Sequence, residues 1–229
     1  MARKKLIFVI VEGPSDDNAI GYFLDKIFDK NKVYVHIMHC DITTERGATP
    51  NNIHLKCCDI ARSFANNNGY TKENFERIIH IVDTDGAFIS SNLIIESSDV
   101  NHTIYSPQNI VCKSKSSIEA RNKKKSDIIN KLISCSYIWS SIPYNVYYMS
   151  CNLDHVLYNK QNSTDEEKER DSYAFQKEFE KNVNGFIDYI SKSSFSVSGS
   201  YKETWEFIKK DAHSLNRYTN LSLCFPTAE

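Results

Sequence analysis

Residues 6–16 read LIFVIVEGPSD. Leu6 to Val11 is an unbroken apolar run rich in β-branched residues, the pattern of a strand buried on both faces. Glu12-Gly13 then ends the run, and Ser15 is placed to cap a helix whose first turn carries Asp16 and Asp17. Behind them Ala19/Ile20, Phe23/Leu24 and Ile27/Phe28 recur every four residues, one face of a helix. The same alternation continues outward. Val33 to Met38 predicts a second strand. Residues 41–52 form a polar loop with Arg46-Gly47 and Pro50. A second helix from about Asn52 shows Ile53, Cys57, Ile60, Ala61 and Phe64 on one side, and Asn66 to Gly69 stop it. Residues 78–86, IIHIVDTDG, give a third buried strand running into Asp83-Thr84-Asp85-Gly86. Strand and helix in alternation imply an α/β fold with a mainly parallel, Rossmann-like sheet. Such sheets bind ligands at the carboxyl ends of their strands, and both Glu12 and Asp83 follow buried strands at that edge.

Composition fits this class. The chain has 229 residues, 41% hydrophobic and 25% charged, with 7 Gly and 5 Pro, which argues against a loop-rich or disordered protein. Formal net charge is −1, so nucleic-acid binding would need a local basic patch. The seven cysteines are odd in number and include no CxxC pair, which suits a reduced, cytoplasmic chain without structural zinc. The basic start Arg3-Lys4-Lys5 precedes an apolar run too short for a signal core. No stretch approaches the roughly 20 apolar residues of a membrane span.

Beyond residue 86 the pattern softens. Residues 103–105 and 109–112 suggest a strand pair or hairpin. Ser117 to Leu132 reads as a basic helix, Asn145 to Met149 as a strand, and a short helix follows Asn152. Gln161 to Asp171 is an acidic linker or helix start. Phe175, Phe179, Val183, Phe186, Ile187 and Ile190 predict one helical stripe, and Tyr201 to Leu215 a last helix with Trp205, Ile208, Ala212 and Leu215 inward. We therefore divide the chain into a catalytic α/β domain over 1–160 and a helical C-terminal extension over 161–229.

Two motifs carry chemistry: Val11-Glu12-Gly13-x-x-Asp16 and Asp83-x-Asp85-Gly86. Phosphodiester chemistry needs the phosphate charge neutralised and an attacking group activated. Magnesium or manganese does both and prefers carboxylate and water oxygens. Two aspartates at i and i+2 share one side of an extended chain, and a glutamate on the neighbouring strand adds a ligand or a proton carrier. Three clustered carboxylates repel one another unless a cation joins them.

On these motifs, VEGPSD at 11–16 and IVDTDG at 81–86, the chain resembles the Toprim family. The Asp four residues after the Glu makes it similar to the nucleases of the overcoming-lysogenization-defect (OLD) group and to the maturase of 5S ribosomal RNA. The resemblance implies a Toprim-like fold and a Mg²⁺- or Mn²⁺-dependent nuclease acting on DNA or RNA. It implies Glu12, Asp83 and Asp85 as catalytic residues, with Asp16 joining them as a metal ligand. It also implies a setting in phage defence or repair and, as in OLD-type relatives, a partner ATPase. A degenerate, non-catalytic Toprim-like binding or regulatory protein is the alternative from outside the enzymes.

IIHIVDTDGAF is also similar to the first motif of haloacid-dehalogenase-type phosphatases, whose two aspartates act as nucleophile and general acid. About 80 residues precede it here, no later paired acidic motif follows, and Glu12-Gly13 is left without a role. Lys113, Lys115, Arg121, Lys124 and Lys125 lie in a segment that also contains Lys123 and Lys131 against only Glu119 and Asp127, a basic stretch suited to phosphates. Asp17 reads as a helix-cap charge, Asp154 and His155 as a helix start, and His39 as structural. Arg46 is a candidate phosphate contact. The chain lacks the length for a strand-passing topoisomerase, so Tyr201 and Tyr218 are not read as nucleophiles.

Overall fold

The first apolar run becomes the centre of a sheet. The computed structural model describes residues 4–28 and 32–226. Strand β1 (Lys5–Val11) lies between β2 (Val33–His39) and β3 (Phe75–Asp83), parallel to both. Strand β8 (Ile142–Met149) adds in parallel to β3, and the short β7 (Tyr137–Ile138) closes that edge antiparallel, giving the order β2-β1-β3-β8-β7. A separate small sheet, β4-β6-β5, is built from β4 (Ile94–Glu96), β5 (Ile104–Tyr105) and β6 (Ile110–Cys112). Strands β5 and β6 form the expected hairpin, while β4 pairs with β6 in parallel. The apolar residues at 94–95 are too few for periodicity to reveal β4.

Alternation along the strands sends side chains to two cores. Phe8, Ile10, Ile78, Val82, Val146 and Tyr148 face α3 (Ile53–Asn68), α4 (Lys115–Ile133) and α8 (Tyr201–Ile208). Ile7, Val9, Val11, Ile79, Ile81 and Met149 face the helix after β1 and α5 (Leu153–Tyr158), α6 (Asp165–Phe179) and α7 (Val183–Lys192). That first helix has three parts: α1 (Pro14–Asp16), a π-helical turn over Asp17–Gly21, and α2 (Tyr22–Ile27). Helix α3 ends at Gly69, whose left-handed φ of 66° is the stop that Asn66–Gly69 predicted.

The C-terminal third differs from its expected outline. The stripe from Phe175 to Ile190 is two helices, because Asn182 leaves helical geometry and caps α7 by accepting the Gly185 N–H. The two helices fold Phe175 and Phe186 around Phe23, whose ring stacks on Phe186 at 4.1 Å. The last helix stops at Ile208 instead of Leu215, and the chain then turns with Asp211 at φ 47°. The acidic 161–171 segment splits into a loop and the start of α6, capped reciprocally by Thr164 and Glu167. Residues 161–226 share both cores with the strands: Trp205 and Ile208 pack on one face, and Phe186 and Ile190 on the other. Among the described residues, no helix is long and apolar enough to cross a membrane.

Candidate active site at the β1/β3 crevice

The chain leaves β1 toward β2 on one side, while β3 lies on the other. The strand order therefore reverses between β1 and β3, and a crevice opens at their carboxyl ends. Glu12 and Asp83 sit on its two sides. The Asp83 N–H donates to Glu12 Oε1 at 3.1 Å, which ties the two motifs directly. The same oxygen accepts from Thr43 Oγ1 at 3.4 Å. Asp83 Oδ1 accepts the Leu153 N–H at 3.0 Å, so the start of α5 orients that carboxylate.

Asp85 is not the next same-side residue of an extended strand, as its spacing suggested. The strand ends at Asp83 and the backbone turns left-handed through Asp85 (φ 47°) and Gly86 (φ 67°). The Asp85 N–H reaches Cys151 O at 2.7 Å and Thr84 Oγ1 donates to Ser214 O at 2.8 Å, which locks the turn. A Cβ at Gly86 would stand 2.6 Å from Leu215 Cδ2, so the glycine serves both the φ and the close approach.

The fourth element is one that composition alone did not place. Lys125 is buried, with 1% of its side chain exposed, and its Nζ donates to Asp85 Oδ2 at 2.5 Å and to Glu12 Oε1 at 3.3 Å. Read from the sequence as part of a basic stretch suited to phosphates, it instead bridges the two acidic motifs. The signal was in the helix pattern. Ile118, Asn122, Lys125, Ile129 and Leu132 recur at alternating spacings of four and three, so Lys125 lies on the buried stripe of α4. Arg121, one turn earlier, donates to Asp85 O at 2.9 Å and bonds the Tyr105 hydroxyl. Lys124 donates to Glu45 O at 2.9 Å in the loop after β2, and Lys113 is exposed. Lys115 is half-buried, its backbone N–H bonded to Glu96. The basic segment thus splits between the acidic crevice and the surface.

Charge crowding is visible in the acidities. Burial raises Glu12 to about 8, with Asp41, Asp85 and Asp16 adding to it against the pull of Lys125. Burial also drives Asp83 well above the ordinary carboxylate range, reinforced by Glu12, Asp16 and Asp85. Asp16 rises to about 6 through burial, opposed by the Gly13 N–H that donates to its Oδ2 at 2.9 Å. Burial alone would lower Lys125, but Asp85, Glu12, Asp83 and Asp41 together hold its ammonium firmly charged. Asp41, at the end of β2, is drawn below its usual value despite burial, by Lys125 and by hydrogen bonds from Thr44 and Thr43. It belongs to the same electrostatic neighbourhood, and no spacing rule singled it out.

The other sequence candidates lie elsewhere. His39 pairs with Asp17 at 3.0 Å on the surface. Asp154 and His155 are buried, and burial lowers the His155 imidazole to about 4. Arg46 is exposed. Tyr201 accepts the Val146 N–H, and the Tyr218 ring packs on Phe207.

Glu12, Asp83 and Asp85 each keep one carboxylate oxygen outside the hydrogen bonds just described. Among the described residues, no three acidic or soft ligands close into a cage. Magnesium is held through one or two such carboxylate oxygens while keeping its waters and substrate phosphates. The hard-oxygen donor set therefore suits Mg²⁺ or Mn²⁺, shared with substrate, beside a fixed ammonium. No family model, no characterised protein and no solved structure matches the chain.

Proposed function

We propose that this chain is a Toprim-type, divalent-metal-dependent nuclease that hydrolyses phosphodiester bonds of DNA or RNA. One observation carries the proposal: Glu12 and Asp83 meet across the sheet's reversal point through a 3.1 Å hydrogen bond, with Asp85 joined to Glu12 through the buried Lys125. A phosphatase built on Asp83 and Asp85 alone would leave Glu12 idle, whereas here Glu12 accepts from Asp83, Thr43 and Lys125.

Each residue has a role that follows from its surroundings. Asp83 and Asp85 offer free oxygens to Mg²⁺ or Mn²⁺, with Glu12 and Asp16 completing the acidic wall. When bound, the ion neutralises phosphate charge and acidifies a water. Glu12, raised to about 8, holds a proton at neutral pH that it can give to a leaving oxygen. Lys125 fixes Glu12 and Asp85 relative to each other and supplies positive charge beside the phosphate position. Burial in the crevice keeps bulk water from screening these charges. By the same likeness to OLD-type nucleases, we propose a partner ATPase and a place in phage defence or repair.

The test is cleavage of labelled DNA and RNA with magnesium or manganese by wild type, Glu12→Gln and Asp83→Asn. The proposal expects cleavage by wild type and loss in both variants. Cleavage unchanged in both variants refutes the site. Phosphate release from monoesters without strand cleavage would support the phosphatase instead.

A further inference from the structure

The crevice continues past its carboxylates. A cavity of about 460 Å³ opens directly beside Asp83 and Asp85, inside the roughly 300–1,000 Å³ of small-molecule sites. Its walls come from the approach to β5, from the cap of α5, and from the loop leading into α6. Among the described residues, no aliphatic side chain lines it. His102, Thr103 and Lys168 line it, together with Asn152 and Gln161, whose amides are bonded to backbone, and Ser163. This is a surface for sugar hydroxyls and base edges rather than for an apolar ligand.

The walls are held before any ligand arrives. Asn162 clips the small sheet to the α6 loop, since its Nδ2 donates to Tyr105 O and its Oδ1 accepts the Tyr105 N–H, both at 2.8 Å. Asn152 Nδ2 donates to Gln161 O at 3.0 Å. The Arg121 guanidinium lies 5.6 Å from the Tyr105 ring centre and bonds its hydroxyl. Preset walls lower the ordering cost of binding. Ser163 Oγ, buried close to the Asp154 carboxylate, makes no well-formed hydrogen bond among the described residues. The start of α6 is already satisfied by its own Asp165, Glu166 and Glu167. A phosphate is therefore directed to Lys168 and the carboxylate end of the cavity, not to the helix terminus.

We infer that this cavity is a nucleotide subsite. It seats one nucleoside unit of an unpaired strand, base and sugar against the polar wall, with the adjoining phosphate at Asp83 and Asp85. The inference rests on the phosphodiester reading above and adds a substrate class to it: the strand is single where it reacts, because a cavity of this size takes one unit and no complement.

Thr103→Trp would fill the cavity and Lys168→Ala would remove its cation; neither belongs to the crevice carboxylates. Binding of uridine and thymidine 5′-monophosphates, with magnesium present, is followed by ligand-observed NMR. Cleavage of single- and double-stranded substrates is measured in parallel. Wild type is expected to bind a monophosphate, T103W at least about tenfold more weakly, and K168A several-fold more weakly with a shallower salt dependence. If T103W loses its thermal transition, K168A and His102→Ala carry the comparison. Equal binding by wild type and the variants, or none by wild type, overturns the subsite. Wild-type cleavage that keeps its rate and strand preference in T103W overturns the subsite and leaves the nuclease. Cavity-dependent nucleotide binding without cleavage of any strand overturns the nuclease and leaves the subsite.

Discussion

Replacing Lys125 with methionine keeps most of the side-chain volume and removes only the ammonium. That charge is 1% exposed and bonded to Glu12 and Asp85, which are themselves 14% and 24% exposed. Breaking a buried ion pair from one side leaves carboxylates uncompensated and costs about 3–5 kcal/mol. For a chain of 229 residues, at about 2–4 °C per kcal/mol, the melting temperature falls by roughly 6–20 °C. The loss depends on pH. Glu12 is already raised from 4.5 to about 8. Without the ammonium it stays protonated to higher pH still. A carboxyl whose folded value exceeds its unfolded value contributes stability that is present below the unfolded value and lost as pH rises through the folded one. Denaturant melts in a chelating buffer at about pH 5 and about pH 9 should therefore show a larger deficit at the higher pH. A deficit below about 1 kcal/mol, the range of surface ion pairs, or one equal at both pH values, would refute the bridging role of Lys125.

Three further outcomes follow from the same structure. His80 is buried, shares a 2.7 Å hydrogen bond with the Tyr144 hydroxyl, and is lowered by burial from 6.5 to about 3. The unfolded chain binds that proton first, so stability falls as pH drops from about 6.5 toward 3, and His80→Phe should flatten this acid slope in pH-dependent melts. Gly86→Ala forces a side chain into the left-handed region against Leu215, so urea titration should show a loss of at least about 1–2 kcal/mol. Trp205 is 2% exposed, its indole N–H bonded to Val146 O, so Trp205→Ala should cost about 3–5 kcal/mol by the same titration. An unaffected midpoint would mean that the C-terminal helices are a detachable appendage.

The parallel sheet was legible because its strands are buried on both faces, which leaves unbroken apolar runs such as Leu6 to Val11. The acidic pair was legible because Glu12 and Asp83 end two of those runs. What stayed hidden depends on contacts between segments far apart in the chain. Lys125 looked like one of three consecutive surface lysines, and only its place on the Ile118–Leu132 stripe marked it as inward. Asp41 enters the crevice because β2 ends beside β1, a fact of register that spacing does not encode. The break at Asn182 was masked because apolar residues on both sides of it keep helical spacing across the gap. Leu215 was assigned to a helix because it is apolar at the right interval, but it is buried by the turn after Asp83 instead.

The most direct test of the central claim is single-turnover strand cleavage by Glu12→Gln, Asp83→Asn and Asp85→Asn, with magnesium, against wild type melted under the same conditions. These changes remove charge and leave shape. Asp83→Asn should be at least as stable as wild type in chelator, whereas Glu12→Gln and Asp85→Asn each take a charged partner from Lys125 and are compared at a temperature where they remain folded. All three should cleave at least about a hundredfold more slowly, the lower end expected for a positioned acid–base group. Variants that cleave at the wild-type rate, or a wild type that cleaves neither DNA nor RNA with either metal, would contradict it.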